Sequence, residues 1–218
     1  MKIKILIPLY NDWQSTFQLI GEIDQLQIDK NFHISVFIVN DASNYDRAEE
    51  TKNFQNIESI KILNMKKNQG HARCIATGLK YILDKEEFDY AIPMDGDGED
   101  RPEEIKSLIE KTKENPSLSV VAKRVKRSEG PFFQFLYQLH KVITFIFTGK
   151  NINFGNYSIL TRSDVEKLHS KASLWSSYSG SVKKNLKSFQ EINSTRGLRY
   201  FGPSQMSLFK LMVHSFSI

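Results

Sequence analysis

The sequence predicts an α/β domain built on a mostly parallel central sheet with helices on both faces, and three observations predict it. Short apolar runs recur at positions 3–9, 34–39, 60–63, 90–94 and 118–122. Between them, positions 14–26, 71–83 and 102–113 carry apolar residues at three- and four-residue spacing, the period of a helix. The runs are near-continuous and rich in β-branched residues instead of alternating, which is the pattern of strands buried on both faces.

Each element follows from its residues. The chain opens at once on Ile3, Ile5, Leu6, Ile7 and Leu9, with no small-residue cleavage site, so the first run reads as a strand and not as a signal peptide. The run around Phe37, Ile38 and Val39 ends at Asn40, a turn-former, and the next spans Ile60 to Leu63. Gly70 precedes the second helical pattern. Pro102 followed by Glu103 and Glu104 is a helix start, because Pro fits the first turn and acids favour the positive end of the helix dipole. No repeat, low-complexity tract or linker divides the chain.

Composition narrows the function. At 218 residues the chain can bury one substantial core without disulfide staples. Its one cysteine, Cys74, cannot form an intrachain bridge and fits a reducing, cytoplasmic setting. A net charge of +5 suits an anionic small molecule or an anionic membrane surface; nucleic-acid binding would rest on Lys and Arg counts alone. No window reaches the roughly 18 uninterrupted apolar residues of a membrane span. Positions 131–149 and 206–218 are apolar but shorter or interrupted.

In open parallel sheets, ligands bind beyond the carboxyl ends of the strands. The polar, distinctive residues fall there: Tyr10, Asn11 and Asp12 after the first strand, Asn40 to Ser43 after the second, and Asp95-Gly96-Asp97-Gly98-Glu99-Asp100 after the run 90–94. Carboxylates at i and i+2 on a strand that is ending can face one ligand, and hard oxygen donors suit Mg²⁺ or Mn²⁺. Gly96 lets a ligand approach closely. An ordinary Asp-Gly turn or a solvated acidic patch would also account for part of this cluster. An EF-hand loop would not, since positions six and twelve from Asp95 are Asp100 and Lys106.

The runs Ile5-Leu6-Ile7-Pro8-Leu9-Tyr10-Asn11, Phe37 to Ser43, Asn68-Gln69-Gly70-His71-Ala72-Arg73 and Met94-Asp95-Gly96-Asp97 resemble, in order, the motifs of family 2 glycosyltransferases, above all those that use polyprenyl phosphates. The resemblance implies a GT-A, Rossmann-like domain over 1–203 and an amphipathic membrane-proximal segment over 204–218, in a family whose members often continue into transmembrane helices. It implies a metal-dependent, inverting transfer of a mannose- or glucose-class sugar from a UDP- or GDP-sugar to a polyprenyl phosphate, at the cytoplasmic face of a membrane. By position, Pro8, Leu9, Tyr10 and Asn11 frame the nucleotide, and Asp41 bonds the base. Lys67, Asn68, Gly70 and Arg73 lie near the nucleotide or its phosphates. Asp95 and Asp97 hold Mg²⁺ or Mn²⁺, and Glu99 reaches the metal or sugar.

Residues 154–162 resemble the acceptor-side element and point to Asn156 and Arg162, while 199–207 resemble the Arg-x-x-Gly-x-Ser segment and point to Arg199 and Ser204 as phosphate ligands. Asn153 and Asn156 stand where acids are common. A phosphate monoester, with a second pKa of about 6, needs no base to become a nucleophile, so the two asparagines fit a phosphate acceptor. Two rivals share the pattern: a transferase with a hydroxyl acceptor, whose base would be Asp100, Glu99 or Asp164, and a silent nucleotide-sugar-binding module. The basic positions 123–127 and the aromatic run 131–149 fit a lipid interface. The aromatic run would equally pack in the core or against a second copy in a homo-oligomer.

Overall fold

The computed structural model describes residues 1–29, 31–44, 54–126 and 153–202. The aromatic run 131–149, Arg127 and the segment from 203 onward, with Ser204, lie outside the described residues. In chain order the elements are β1 (Lys2–Leu9), α1 (Trp13–Asp24), β2 (His33–Asn40), β3 (Ile57–Asn64), α2 (His71–Lys85), β4 (Tyr90–Pro93), α3 (Glu104–Glu114), β5 (Val120–Lys126) and β6 (Phe154–Thr161). After them come α4 (Arg162–His169), a 3₁₀ turn (Ala172–Trp175), α5 (Tyr178–Asn185) and β7 (Gln190–Thr195).

They form a seven-stranded sheet of order β3-β2-β1-β4-β6-β5-β7. Strands β1, β2, β3 and β4 are parallel, whereas β6 runs antiparallel to both its neighbours and β7 pairs parallel with β5. The expected mostly parallel sheet is thus present, with β6 as the reversed strand. Helix α3 begins at Glu104, two residues after Pro102, because Arg101 and Pro102 first form a turn whose carbonyls accept from Glu104 and Ile105. β5 extends to Lys126, past the expected end at 122.

Alternation along each strand sorts the core into two layers. Ile3, Ile5, Ile7 and Leu9 of β1 face Trp13, Phe17 and Ile20 of α1 and Ile105 and Leu108 of α3. Leu6, Phe37 and Val39 face Cys74, Ile75, Leu79 and Ile82 of α2, with Val165 and Leu168 of α4 and Val182 of α5 completing the layer. Gly78 permits the closest approach of α2 to the sheet, since a Cβ there would stand 2.3 Å from Leu6 Cδ1.

One charge is buried at the far edge of that second layer. Lys4 of β1 donates to Ser35 Oγ at 3.1 Å and lies 3.9 Å from Glu86, which also pairs with Lys61. Burial lowers the Lys4 pKa, against the opposing pull of Glu86. Because the folded pKa lies below the unfolded one, the unfolded chain binds more protons between the two values, and stability rises as pH climbs through that interval. Lys4→Met keeps the stem and removes the desolvated charge, while Glu86 keeps Lys61. Its unfolding free energy at neutral pH is expected within about 1 kcal/mol of wild type, or higher. Urea denaturation tests this, and a loss of about 3 kcal/mol would show the pair to be net stabilising.

Candidate active site

The chain leaves β1 toward β2 on one side, and β4 lies on the other, so the topological switch point falls between the carboxyl ends of β1 and β4. Both ends carry acids. Beyond β1 stands Asp12, the residue before α1, and beyond β4 stands the loop from Asp95 to Asp100.

The loops after β1 and β2 are knitted to each other. Asn11 N–H donates to Ser43 Oγ at 2.9 Å, Asn44 N–H donates to Asn11 Oδ1 at 2.8 Å, and Ser43 N–H donates to Asn40 Oδ1 at 3.0 Å. Asn11 and Ala42 both adopt left-handed backbone, φ 53° and 57°. Asn tolerates this; for Ala42 it costs about 1 kcal/mol, a strain that the surrounding bonds hold. Tyr10 is left exposed at the rim, and the Asn40 amide donates to Asn64 at 2.9 Å.

Asp41 is committed elsewhere. It is 4% exposed, its two oxygens accept from the Gln69 and Gly70 amides at 2.7 and 2.8 Å, and it therefore pins the loop that starts α2. Its partners in the structure are these loop amides. Gly70, at φ 89°, makes the turn into α2. Lys67 and Asn68 are exposed on that loop, and the Arg73 guanidinium donates to Gln69 at 2.9 Å.

The acidic loop is held from three sides. Within it, the buried Asp100 accepts from Asp95 N–H at 2.9 Å, and Asp97 Oδ1 accepts from Glu99 N–H at 3.0 Å. From α2, His71 Nε2 lies 3.2 Å from Asp95 Oδ1, and Asn156 Nδ2 of β6 lies 3.2 Å from that oxygen and 2.7 Å from the His71 ring. From beyond β7, residues 196–200 fold across as a strap: Gly197 N–H donates to Glu99 O at 2.8 Å and Tyr200 N–H to Asp97 O at 2.9 Å. Arg196 pairs with Glu99. The Arg199 guanidinium donates to Asp97 at 2.5 Å and to Asp12 at 2.7 Å, and Tyr200 OH donates to Glu22 of α1 at 2.5 Å.

Charge states follow from this packing. Burial resists ionisation of Asp95, but the neighbouring His71 outweighs it and holds the carboxyl well below the usual range. Burial likewise opposes charging of His71, and Asp95 more than offsets it, so its pKa rises. Asp97 is pushed up to about 6 by burial and by the Asp95 charge, in spite of Arg199 and Arg196. Burial and Asp95 also raise Asp100.

Chemically, Asp95 and Asp97 are hard oxygen donors of the kind that suits a divalent cation. Among the described residues no three His, Cys, Asp or Glu side chains form a closed metal cage. Mg²⁺ is usually bound by one or two carboxylates with substrate phosphates completing its shell, and the guanidinium already seated on Asp97 shows that a cation is accepted there. Gly96 sits under the loop with its Cα against Thr16 and Ile7, where a Cβ would come within 2.8 Å of Thr16 Oγ1. Gly98, at φ 89°, lies under the Tyr200 ring, which a Cβ would meet at 2.7 Å. Gly98→Ala should therefore cost about 1 kcal/mol of backbone strain and lift the strap. Trypsin cleavage after Arg199 should accelerate, with a fall in Tm of roughly 2–4 °C.

Several expected site residues lie apart. Because β6 is antiparallel, Arg162 emerges at the opposite edge of the sheet, where its backbone N–H donates to Asp89 O at 3.1 Å and its guanidinium stacks 5.0 Å above Phe88. An acceptor role for Arg162 is corrected by that strand direction. Asp164, at the same edge, accepts from Ser119 at 2.6 Å in the core and is no base for this site. Of the basic positions 123–127, Lys123 pairs with Glu191 at 3.1 Å on the surface and the Arg124 guanidinium lies against Gly155. Sequence reading placed Asp12 at the ligand edge without a specific partner and gave no role to Arg196 or Tyr200. Asp12 directly follows the Tyr10-Asn11 pair; the other two act only through long-range folding.

A sheet of this order, with helices on both faces, is the expected GT-A type of fold. Crystal structures of S. aureus TarS share that fold: a fragment matches with a TM-score of 0.57 at 16% identity over 90% of this chain and 59% of that one. Its complex with UDP matches with a TM-score of 0.55 at 17% identity over 90% and 59%. The family model described as glycosyl transferase family 2 matches residues 4–177, and the chain belongs to that family. Among curated relatives, the bactoprenol glucosyl transferase of Shigella phage SfV is 26% identical over 175 residues, 77% of this chain and 54% of that protein. The dolichol-phosphate mannosyltransferase of Pyrococcus furiosus is 26% identical over 140 residues, 62% of this chain and 38% of that protein. The chain spans about half the length of the curated relatives it matches.

Proposed function

We propose that this glycosyltransferase moves a sugar from a nucleotide-sugar donor to a polyprenyl phosphate at a membrane surface, with Mg²⁺ or Mn²⁺ held by Asp95 and Asp97. The observation that carries the acceptor class is Asn156, which stands beside Asp95 and offers an amide where a hydroxyl acceptor would need a base. The other acids are engaged: Glu99 pairs with Arg196, and Asp100 is buried on the Asp95 amide. A phosphate acceptor is anionic at neutral pH and needs none of them.

In the reaction an acceptor phosphate oxygen attacks the anomeric carbon, the bond from that carbon to the donor's β-phosphate oxygen breaks, and the nucleoside diphosphate leaves with the electron pair. Configuration inverts. The divalent cation, when bound, supplies charge neutralisation at the departing diphosphate. His71 and Asn156 keep Asp95 ionised and oriented, and the knitted loops at Tyr10-Asn11 and Asn40 to Ser43 preorganise the rim. The names of the relatives, which include a bactoprenol and a dolichol-phosphate enzyme, support this acceptor class.

The test is incubation with Mg²⁺, a short polyprenyl phosphate and labelled UDP- and GDP-sugars, counting label extracted into organic solvent. Label from one donor that disappears with chelator is the expected result. Transfer to a glycan hydroxyl, with none to the lipid phosphate, would overturn the acceptor assignment.

A further inference from the structure

We propose that the strap 196–200 is a built-in competitor for the cation site: the Arg199 guanidinium holds the place of the divalent cation on Asp97, and loading the cation releases the strap. This rests on the reading of Asp97 as a cation ligand.

Four contacts carry it. Arg199 spans Asp97 and Asp12 at 2.5 and 2.7 Å, joining the acids beyond β4 and β1 across the switch point. Its side chain and those of both partners are largely enclosed, at 19%, 16% and 23% exposure, so this is a desolvated pair and not a surface one. The strap is fixed on either side of Arg199 by Gly197 to Glu99 and by Tyr200 to Asp97, and the Tyr200 ring covers Gly98. Leu198, between them, is 87% exposed, so apart from Tyr200, which packs against the core, the strap is held by polar contacts. Asp97 Oδ1 is already engaged by the backbone amide of Glu99, which makes Oδ2, the atom Arg199 occupies, the oxygen a cation would take by displacing only a side chain. A ligand shifts an equilibrium only by its differential affinity for the two states. Cation and guanidinium cannot both hold Oδ2, so cation affinity is reduced by the closed strap, and the strap opens in proportion as the cation binds.

The experiment uses Mn²⁺ alone, with no nucleotide or acceptor, and reads free Mn²⁺ by electron paramagnetic resonance. Arg199→Gln should bind Mn²⁺ about tenfold more tightly than wild type, the equivalent of about 1.4 kcal/mol. Tyr200→Phe, which loses only the bond to Glu22, should move affinity the same way by less. In the wild type, Mn²⁺ should speed trypsin cleavage after Arg196 and Arg199 several-fold, because cleavage tracks the open population. Weaker or unchanged Mn²⁺ binding in Arg199→Gln, or cleavage that Mn²⁺ slows or leaves unchanged, would overturn the competition while leaving the metal site intact. If Asp97→Asn binds Mn²⁺ as well as wild type does, the cation reading of Asp97 fails first, and the proposal with it.

Discussion

Asp97→Asn should lower the rate of sugar transfer by about 10²–10³-fold at saturating Mn²⁺. Asn keeps the size of the side chain, but its single oxygen can accept from only one of Arg199 and the Glu99 amide, so the strap contact is weakened as well. What it removes is the charge. Burial and the Asp95 charge push the Asp97 carboxyl up to about 6 in spite of Arg199 and Arg196, so at neutral pH it is still mostly ionised. An amide there cannot neutralise a divalent cation, and the departing diphosphate loses the charge compensation that lowers the barrier. Initial rates in the lipid-extraction assay across a Mn²⁺ titration measure the loss. A variant that keeps a third or more of wild-type activity would remove Asp97 from the cation site.

The parts of this molecule that were legible in the sequence are those whose signal is local. Strands β1, β2 and β4 are buried on both faces, so Ile3 to Leu9, Ile34 to Val39 and Tyr90 to Met94 read as unbroken apolar runs. The Asp95 to Asp100 cluster was legible because acids crowd directly behind such a run. β6 and β7 were not: Phe-Gly-Asn-Tyr-Ser-Ile-Leu-Thr and Gln-Glu-Ile-Asn-Ser-Thr mix polar and apolar residues and are strands because their neighbours pair with them. Missing the reversed direction of β6 is what put Arg162 beside the site in the sequence reading and at the opposite edge in the fold.

The strap shows the same limit on a longer scale. Arg199 was singled out as a phosphate ligand through its motif, but nothing near it in sequence announces Asp12, some 190 positions away, as its partner. Such a contact depends on β7 running parallel to β5, so that its end reaches the edge where β1 and β4 also end. A small group in the right frame could be foreseen; the frame itself required the topology.

Asp41→Asn should cost about 2–4 kcal/mol of unfolding free energy, making it among the most damaging single changes near the site. The carboxylate bridges two consecutive amides, Gln69 and Gly70, with one oxygen on each and almost no access to water. An amide can satisfy one of those donors, but it turns its own NH₂ toward the other, so one charge-assisted bond is lost and a buried donor is left facing a donor. The loop cannot easily move away, because Gly70 must hold φ 89° to enter α2 and Cys74 of the next turn is fully buried beneath it. For a chain of this size the loss corresponds to a fall in Tm of roughly 4–16 °C. Urea denaturation of Asp41→Asn beside a titration with UDP and GDP separates the two roles that sequence and structure suggest for this residue. A lower urea midpoint, with nucleotide affinity recovered at low temperature where the variant is folded, establishes Asp41 as the clamp on the α2 loop. An unchanged midpoint with weakened binding of one nucleotide would return it to the base contact that the motif implied.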